Sequence, residues 1–197
     1  NVSQNVFLTG AAGAGKTYVL NQYIEHLREW GVGVAITAST GIAATHLGGQ
    51  TIHSWSGIGI KDSFTESDFE RLSKRKKLVD IIRDTKVLVI DEVSMLHAHQ
   101  LDMIDSVLRQ VKDFTKPFGG VQMILSGDFF QLPPVSRGRE AQFVFEAESW
   151  RAGEFVVCYL TEQHRQKQDP LLGILNDIRD GKAGEHTKIP LRTRYKQ

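Results

Sequence analysis

The stretch Val6-Phe-Leu-Thr-Gly10-Ala-Ala-Gly13-Ala-Gly15-Lys16-Thr17 constrains this chain more than any other. A short apolar run enters a loop with three glycines, and the loop closes on a lysine and a threonine at the head of an amphipathic run, Val19, Leu20, Tyr23, Ile24 and Leu27. Glycine, any four residues, glycine, lysine and then serine or threonine is the pattern of a loop that wraps nucleotide phosphates. Glycines turn the backbone tightly enough for successive amides to point at the phosphates, and the following helix adds the positive end of its dipole. Lys16 would then meet the β and γ phosphates, and the Thr17 hydroxyl would ligate magnesium. The strand and helix that such a loop requires are both expected here, over 5–9 and 16–30. Gly10, Gly13, Ala14, Gly15, Lys16, Thr17 and Tyr18 make up the nucleotide-binding set on this side.

Other apolar runs extend the pattern. Strands are expected near 33–38, 86–91, 121–126 and 155–160, alternating with helices over 41–47, 67–83, 97–112 and 169–180. Such alternation gives parallel strands joined by crossover helices, an α/β domain with a mostly parallel sheet and helices on both faces. Gly57 to Ser67 and the tail from Gly181 lack a periodic apolar face and are expected to be irregular. The tail "HTKIPLRTRYKQ" reads as cut short, so a longer protein is expected to continue beyond Gln197.

Composition removes several classes. The 197 residues are 41% hydrophobic and 24% charged, ordinary for a globular domain with one real core. No apolar run reaches membrane-spanning length, and the amino terminus has no signal-peptide pattern. The expectation is an intracellular protein without a membrane partner. Cys158, the one cysteine, sits in "FVVCYL" and is expected to be a small buried strand residue. A net charge of +1 neither announces nor excludes a nucleic-acid partner.

Further chemistry follows the later strands. "KVLVIDEVSML" drives four apolar residues into Asp91 and Glu92, and a buried parallel strand delivers such acids to the carboxyl edge of the sheet, beside the phosphate loop. Asp91 is placed to hold magnesium through water, and Glu92 to orient and deprotonate an attacking water. "MILSGDFFQLPPV" brings Asp128 and Gln131 to the same edge, where an amide can bond both a γ phosphate and water. "YLTEQHRQ" brings Arg165, whose guanidinium can stabilise charge on a phosphoryl group in transfer. His97 and His99, two apart on a helix, point to different faces and do not form a zinc site. The cations Lys74 to Lys77 read as a solvated face.

The ordered series "FLTGAAGAGKT", "ITASTGIAA", "GGQTIHSW", "VLVIDEVSML", "LSGDFFQLPPV" and "LTEQHRQ" resembles the first motor domain of the PIF-type (petite integration frequency) DNA helicases, superfamily 1 enzymes related to the RecD group. The resemblance runs from Asn5 to about Gly181. It implies a RecA-like ATPase domain over 1–181, with 182–197 opening a linker or a following subdomain. It implies ATP and magnesium as cofactors, 5′ to 3′ movement on single-stranded DNA, and unwinding of forked or structured duplexes in the full-length protein. DNA repair and telomere maintenance are the roles that accompany such an activity, in a bacterial cytoplasm or nucleoid or in a eukaryotic nucleus or mitochondrion.

Residue by residue, the resemblance implies that Lys16, Glu92, Gln131 and Arg165 carry catalysis, with Thr17 and Asp91 on the metal. It sets Ser39, Thr40, Thr51 and His53 against DNA, where hydroxyls and an imidazole can bond phosphates without reading bases. Trp55 and the loop through Pro134 would offer surfaces for a base, although Trp55 and Phe129 also fit a core. The adenine-recognising segment of the family is not complete in this sequence, and a second RecA-like domain is the expected partner of a monomeric motor. A nucleotide switch or scaffold without motor activity is the alternative. A small-molecule kinase is disfavoured, because the sequence shows no acceptor pocket or basic lid.

Overall fold

The structure is a computed structural model that describes residues 4–135, 141–161 and 170–194. Its centre is a parallel sheet of six strands: β1 Val6–Gly10, β2 Val34–Ala38, β3 Gln50–Thr51, β4 Val87–Asp91, β5 Gln122–Gly127 and β6 Val156–Leu160. Their spatial order is β3-β2-β4-β5-β1-β6. Helices α1 Lys16–Glu29, α2 Gly41–His46, α3 Ile52–Ser56, α4 Glu66–Ser73 and α5 Lys76–Asp84 fall before β4. After it come α6 Ala98–Val111, α7 Glu148–Ala152, α8 Pro170–Arg179 and α9 Glu185–Arg194.

Period-two alternation sorts the strand residues between the two faces. Val87 and Val89 of β4 and Ile124 of β5 pack with Leu20, Ile24 and Leu27 of α1. Their neighbours Leu88, Ile90, Met123 and Leu125 turn the other way, onto a larger cluster with Ile82 of α5 and Leu101, Ile104 and Leu108 of α6. Every residue of β4 is buried, which is why it reads in sequence as an unbroken apolar run. With all strands parallel, their carboxyl ends lie along one edge. That edge gathers the loops that carry the chemistry.

Three expectations change. The helix expected over 67–83 is two helices, α4 and α5, with Arg75 at φ −85° and ψ 68° between them. Cys158 is exposed, because β6 is the edge strand and four of its five residues face solvent. The tail is not irregular: α9 is held to α8, where Asp177 accepts from the Thr187 hydroxyl at 3.2 Å and faces His186 at 3.0 Å. The segment 57–65 does lack regular structure, as expected. Among the described residues, no helix is long and apolar enough to cross a membrane.

Candidate nucleotide and DNA site

The phosphate loop leaves β1 and enters α1 with Gly13 at φ 79° and Gly15 at φ 87°, left-handed conformations that only glycine adopts without strain. The Lys16 ammonium donates to the Gly10 carbonyl at 2.8 Å and the Ala11 carbonyl at 3.3 Å, which holds its charge over the loop. Thr17 and Tyr18 are exposed on the first turn of α1, whereas Ala14 is buried under the loop. Beside them opens a cleft of about 660 Å³ between Ala14 to Val19 and the end of β6 at Tyr159 to Thr161.

Asp91 and Glu92 stand at the end of β4, two strands from the loop. Asp91 is buried, and Glu92 has φ 52° and ψ 40°, a left-handed conformation for a residue with a side chain. Strain of this kind costs on the order of 1–3 kcal/mol and persists where surrounding contacts impose it. Two such contacts are visible. Ser39 donates its hydroxyl to the Glu92 carbonyl at 2.7 Å and its amide to the Asp91 carbonyl at 3.1 Å. On the other side, Gly127 at the end of β5 lies so close that a Cβ there would meet the Val93 amide nitrogen at 3.1 Å and that of Ser94 at 3.2 Å.

The loop after β5 brings Asp128 and Gln131 to the same place. Asp128 is 2% exposed and accepts from the Gln131 amide at 2.9 Å and from the Phe130 backbone at 3.1 Å. The charges of these groups act on one another across the edge of the sheet. Burial lowers the Lys16 pKa, while the charges of Asp128, Glu92 and Asp91 pull it back up. Burial raises the Glu92 pKa, and the neighbouring Asp91 charge adds to that rise while Lys16 opposes it. Burial resists the charge on Asp128, but hydrogen bonds from Gln131 and Arg179 more than offset it and hold the carboxyl below its ordinary value. A lysine, two strand-end acids, a third buried acid and an amide therefore converge on the loop.

Arg179 was not marked by any sequence motif. It ends α8, pairs with Asp128, donates to the Tyr159 hydroxyl at 3.2 Å and lies 4.7 Å from the centre of the Phe130 ring. In sequence, "NDIRDG" reads as the cation that closes a helix, so only the tertiary contact reveals it. Arg165, the arginine expected at the ATP site, lies outside the described residues.

The residues expected against DNA follow β2 and β3. The Thr40 side chain accepts from the Ala43 amide and that of Thr51 from the Ser54 amide, both at 3.3 Å, so each hydroxyl caps a short helix while its own proton stays free to donate. His53 is half-buried, and burial lowers its pKa while a hydrogen bond with the Gln100 side chain opposes the shift. Ser39 does not fit its expected role, since its hydroxyl proton is already given to Glu92. Trp55 is a correction as well: at 2% exposure it belongs to the core with Ile52 and Ile58 and offers no face to a base. Pro134 is also buried. The same loop exposes Phe130, Leu132 and Val135 instead, at 74%, 67% and 77%.

Comparison with known proteins identifies the relatives of this chain. The family model for PIF1-like helicases matches residues 1–187. An ATP-dependent DNA helicase Pif1 of Psychrobacter is 56% identical over 186 residues, covering 89% of this chain and 28% of that protein. The ATP-dependent DNA helicase RRM3 of Saccharomyces cerevisiae is 43% identical, covering 90% of this chain and 25% of that protein. Among solved structures, the Pif1 helicase of Candida albicans superposes with a TM-score of 0.86 at 38% identity, over 94% of this chain and 42% of the other. A Bacteroides Pif1 helicase crystallised with ADP-AlF3 and single-stranded DNA gives 0.78 at 34% identity, over 95% of this chain and 45% of the other. The chain thus spans between a quarter and a half of the length of these relatives.

Proposed function

Because the chain belongs to the PIF1-like helicase family, we propose that it forms the ATP-hydrolysing motor domain of a DNA helicase that moves 5′ to 3′ along single-stranded DNA. The observation that carries this reading is the convergence of Lys16, Asp91, Glu92, Asp128 and Gln131 on the loop Gly10 to Thr17, at the carboxyl edge of the sheet. In this reading, residues 1–181 are the ATPase unit and 182–197 open a linker or a second subdomain. A second RecA-like domain faces the nucleotide from the other side, and forked DNA is the substrate of the monomeric whole.

Each residue of the site takes a separate part in the chemistry. Loop amides and Lys16 hold the β and γ phosphates, and the cleft beside Tyr18 and Tyr159 takes the base. Glu92, its carboxylate basicity raised by burial, accepts a proton from water as the water oxygen attacks the γ phosphorus. The bond to the bridging oxygen breaks, and that oxygen leaves with ADP. Gln131, with its amide nitrogen fixed on Asp128, keeps its carbonyl oxygen for the attacking water. Arg165 remains the proposed arginine on the phosphoryl group.

The donor set fits magnesium: an exposed Thr17 hydroxyl and the Asp91 carboxyl, both hard oxygen donors, stand at the same edge of the sheet. Held there, magnesium would neutralise charge on the β and γ phosphates. For DNA, Thr40, Thr51 and His53 bond the backbone, and the exposed face of Phe130, Leu132 and Val135 is the apolar surface that Trp55 does not supply.

The test is phosphate release by the full-length protein, with and without single-stranded DNA. DNA should stimulate release, and Lys16→Ala should abolish it while the protein stays folded. Release that ignores DNA would favour a nucleotide switch, and release that survives Lys16→Ala would remove the site assignment.

A further inference from the structure

The Arg179 guanidinium joins three elements. It pairs with Oδ2 of Asp128 in the loop after β5, donates to Tyr159 of β6, and stacks on Phe130 from its own position at the end of α8. Its side chain is 16% exposed and that of Asp128 only 1%, so the pair is shielded from water and its geometry matters. Asp128 has a second guest on the same oxygen, since the Gln131 amide also donates to Oδ2. The Phe130 backbone occupies Oδ1. Arginine suits this place because its planar fork puts one nitrogen on the carboxylate and the other on the phenol, whereas a lysine would have to serve both from a single nitrogen.

Loss of Arg179 would leave a buried carboxylate with no cation of its own. Asp128 would then lose the contact that, with the Phe130 backbone, fixes the orientation of its carboxyl, and the Gln131 amide bonded to the same oxygen would lose its fixed anchor. Resting on the ATPase reading given above, we propose that Arg179 is a positioning residue for hydrolysis, fixing Gln131 through Asp128 so that its amide is aligned for water and γ phosphate.

Full-length protein, DNA-stimulated ATP turnover and a double-mutant cycle test the idea. Arg179→Met is expected to lower kcat by tenfold or more. On a Gln131→Ala background, the same change should cost less than twofold, because there is no amide left to position. A structural role alone would not produce that cancellation. Full kcat in Arg179→Met, or a double variant that loses the product of the two single effects, overturns the proposal. Should Arg179→Met fail to fold, Arg179→Lys enters the same cycle. It keeps the charge but loses the fork, and its smaller defect must likewise vanish beside Gln131→Ala. Lys16→Ala in the same assay separates the two levels: turnover that survives it defeats the ATPase assignment, whereas additivity with a dead Lys16→Ala defeats only the role of Arg179.

Discussion

Trp55 offers a measurement that separates packing from DNA contact. Its ring is 2% exposed and shares a cluster with Ile52, Ile58, Leu72, Ile82 and Leu88. Truncating a tryptophan in such a setting costs about 3–5 kcal/mol, from lost transfer energy and the cavity left behind. In a domain of this size 1 kcal/mol moves Tm by roughly 2–4 °C, so Trp55→Ala should lower Tm by about 6–20 °C. Trp55→Phe should behave differently. The indole nitrogen is buried with no hydrogen-bond partner among the described residues, a condition that costs on the order of 1–3 kcal/mol, and phenylalanine removes that group while keeping most of the ring. Its net effect should stay within about 1 kcal/mol, because the smaller ring gives back what the lost N–H gains. Thermal melts and single-stranded DNA titrations on both variants provide the assay. A stacking residue would show the reverse pattern: an unchanged Tm for Trp55→Ala and a loss of roughly 1–3 kcal/mol in DNA affinity. That outcome would refute the core assignment.

Two more predictions concern the acids at the end of β4. Burial and the Asp91 charge raise the Glu92 pKa, so the acid limb of the kcat profile should lie above the ordinary glutamate value of about 4.3, and Glu92→Gln should remove that limb together with hydrolysis while ATP still binds. The same raised value means that the folded state holds this proton more tightly than the unfolded chain, so ionisation of Glu92 subtracts stability as pH rises through it; an acid limb at the ordinary value would contradict the burial argument. Gly127→Ala places a methyl 3.1 Å from the Val93 amide nitrogen and should cost about 1–3 kcal/mol, with a fall in ATP turnover because the displaced turn carries Glu92. Wild-type Tm and turnover together would show that the turn has slack.

The parts legible in sequence were those in which local pattern and tertiary role coincide. The five longer strands fall within a residue of their expected positions: β1, β4 and β5 are almost wholly buried and appear as apolar runs that stop at glycine or an acid, while β2 and the exposed edge strand β6 still carry short runs of β-branched and apolar residues. β3 could not be read because two residues hold no period. The break between α4 and α5 was hidden for another reason. Leu72 lies before it and Val79 and Ile82 after it, and all three reach one core, so the helical spacing continues across a non-helical Arg75. Trp55 was legible but outweighed: Ile52, Trp55 and Ile58 repeat every three residues, the mark of a buried face, and the resemblance drew attention to the ring instead. Arg179 had no such signal, because a cation in the last turn of a helix already has a sufficient local reason.

The loop after β5 shows how the proposed motor would connect its two ligands. Gln131, the amide that meets the γ phosphate in this reading, lies between Phe130 and Leu132, both largely exposed, while Phe129 packs inward against Phe7 and Trp150. The inner end of the loop is therefore fixed, and its outer end bears the apolar face. Gln131 adjoins Phe130, whose ring lies against Arg179, so in the proposed motor a shift of the amide would be felt at that contact. On the proposed reading, loss of the γ phosphate would reach the apolar face through adjacent residues of one short loop. On that reading the loop has a physical reason to combine a buried acid, the amide proposed to meet the γ phosphate and an exposed aromatic surface within a few residues.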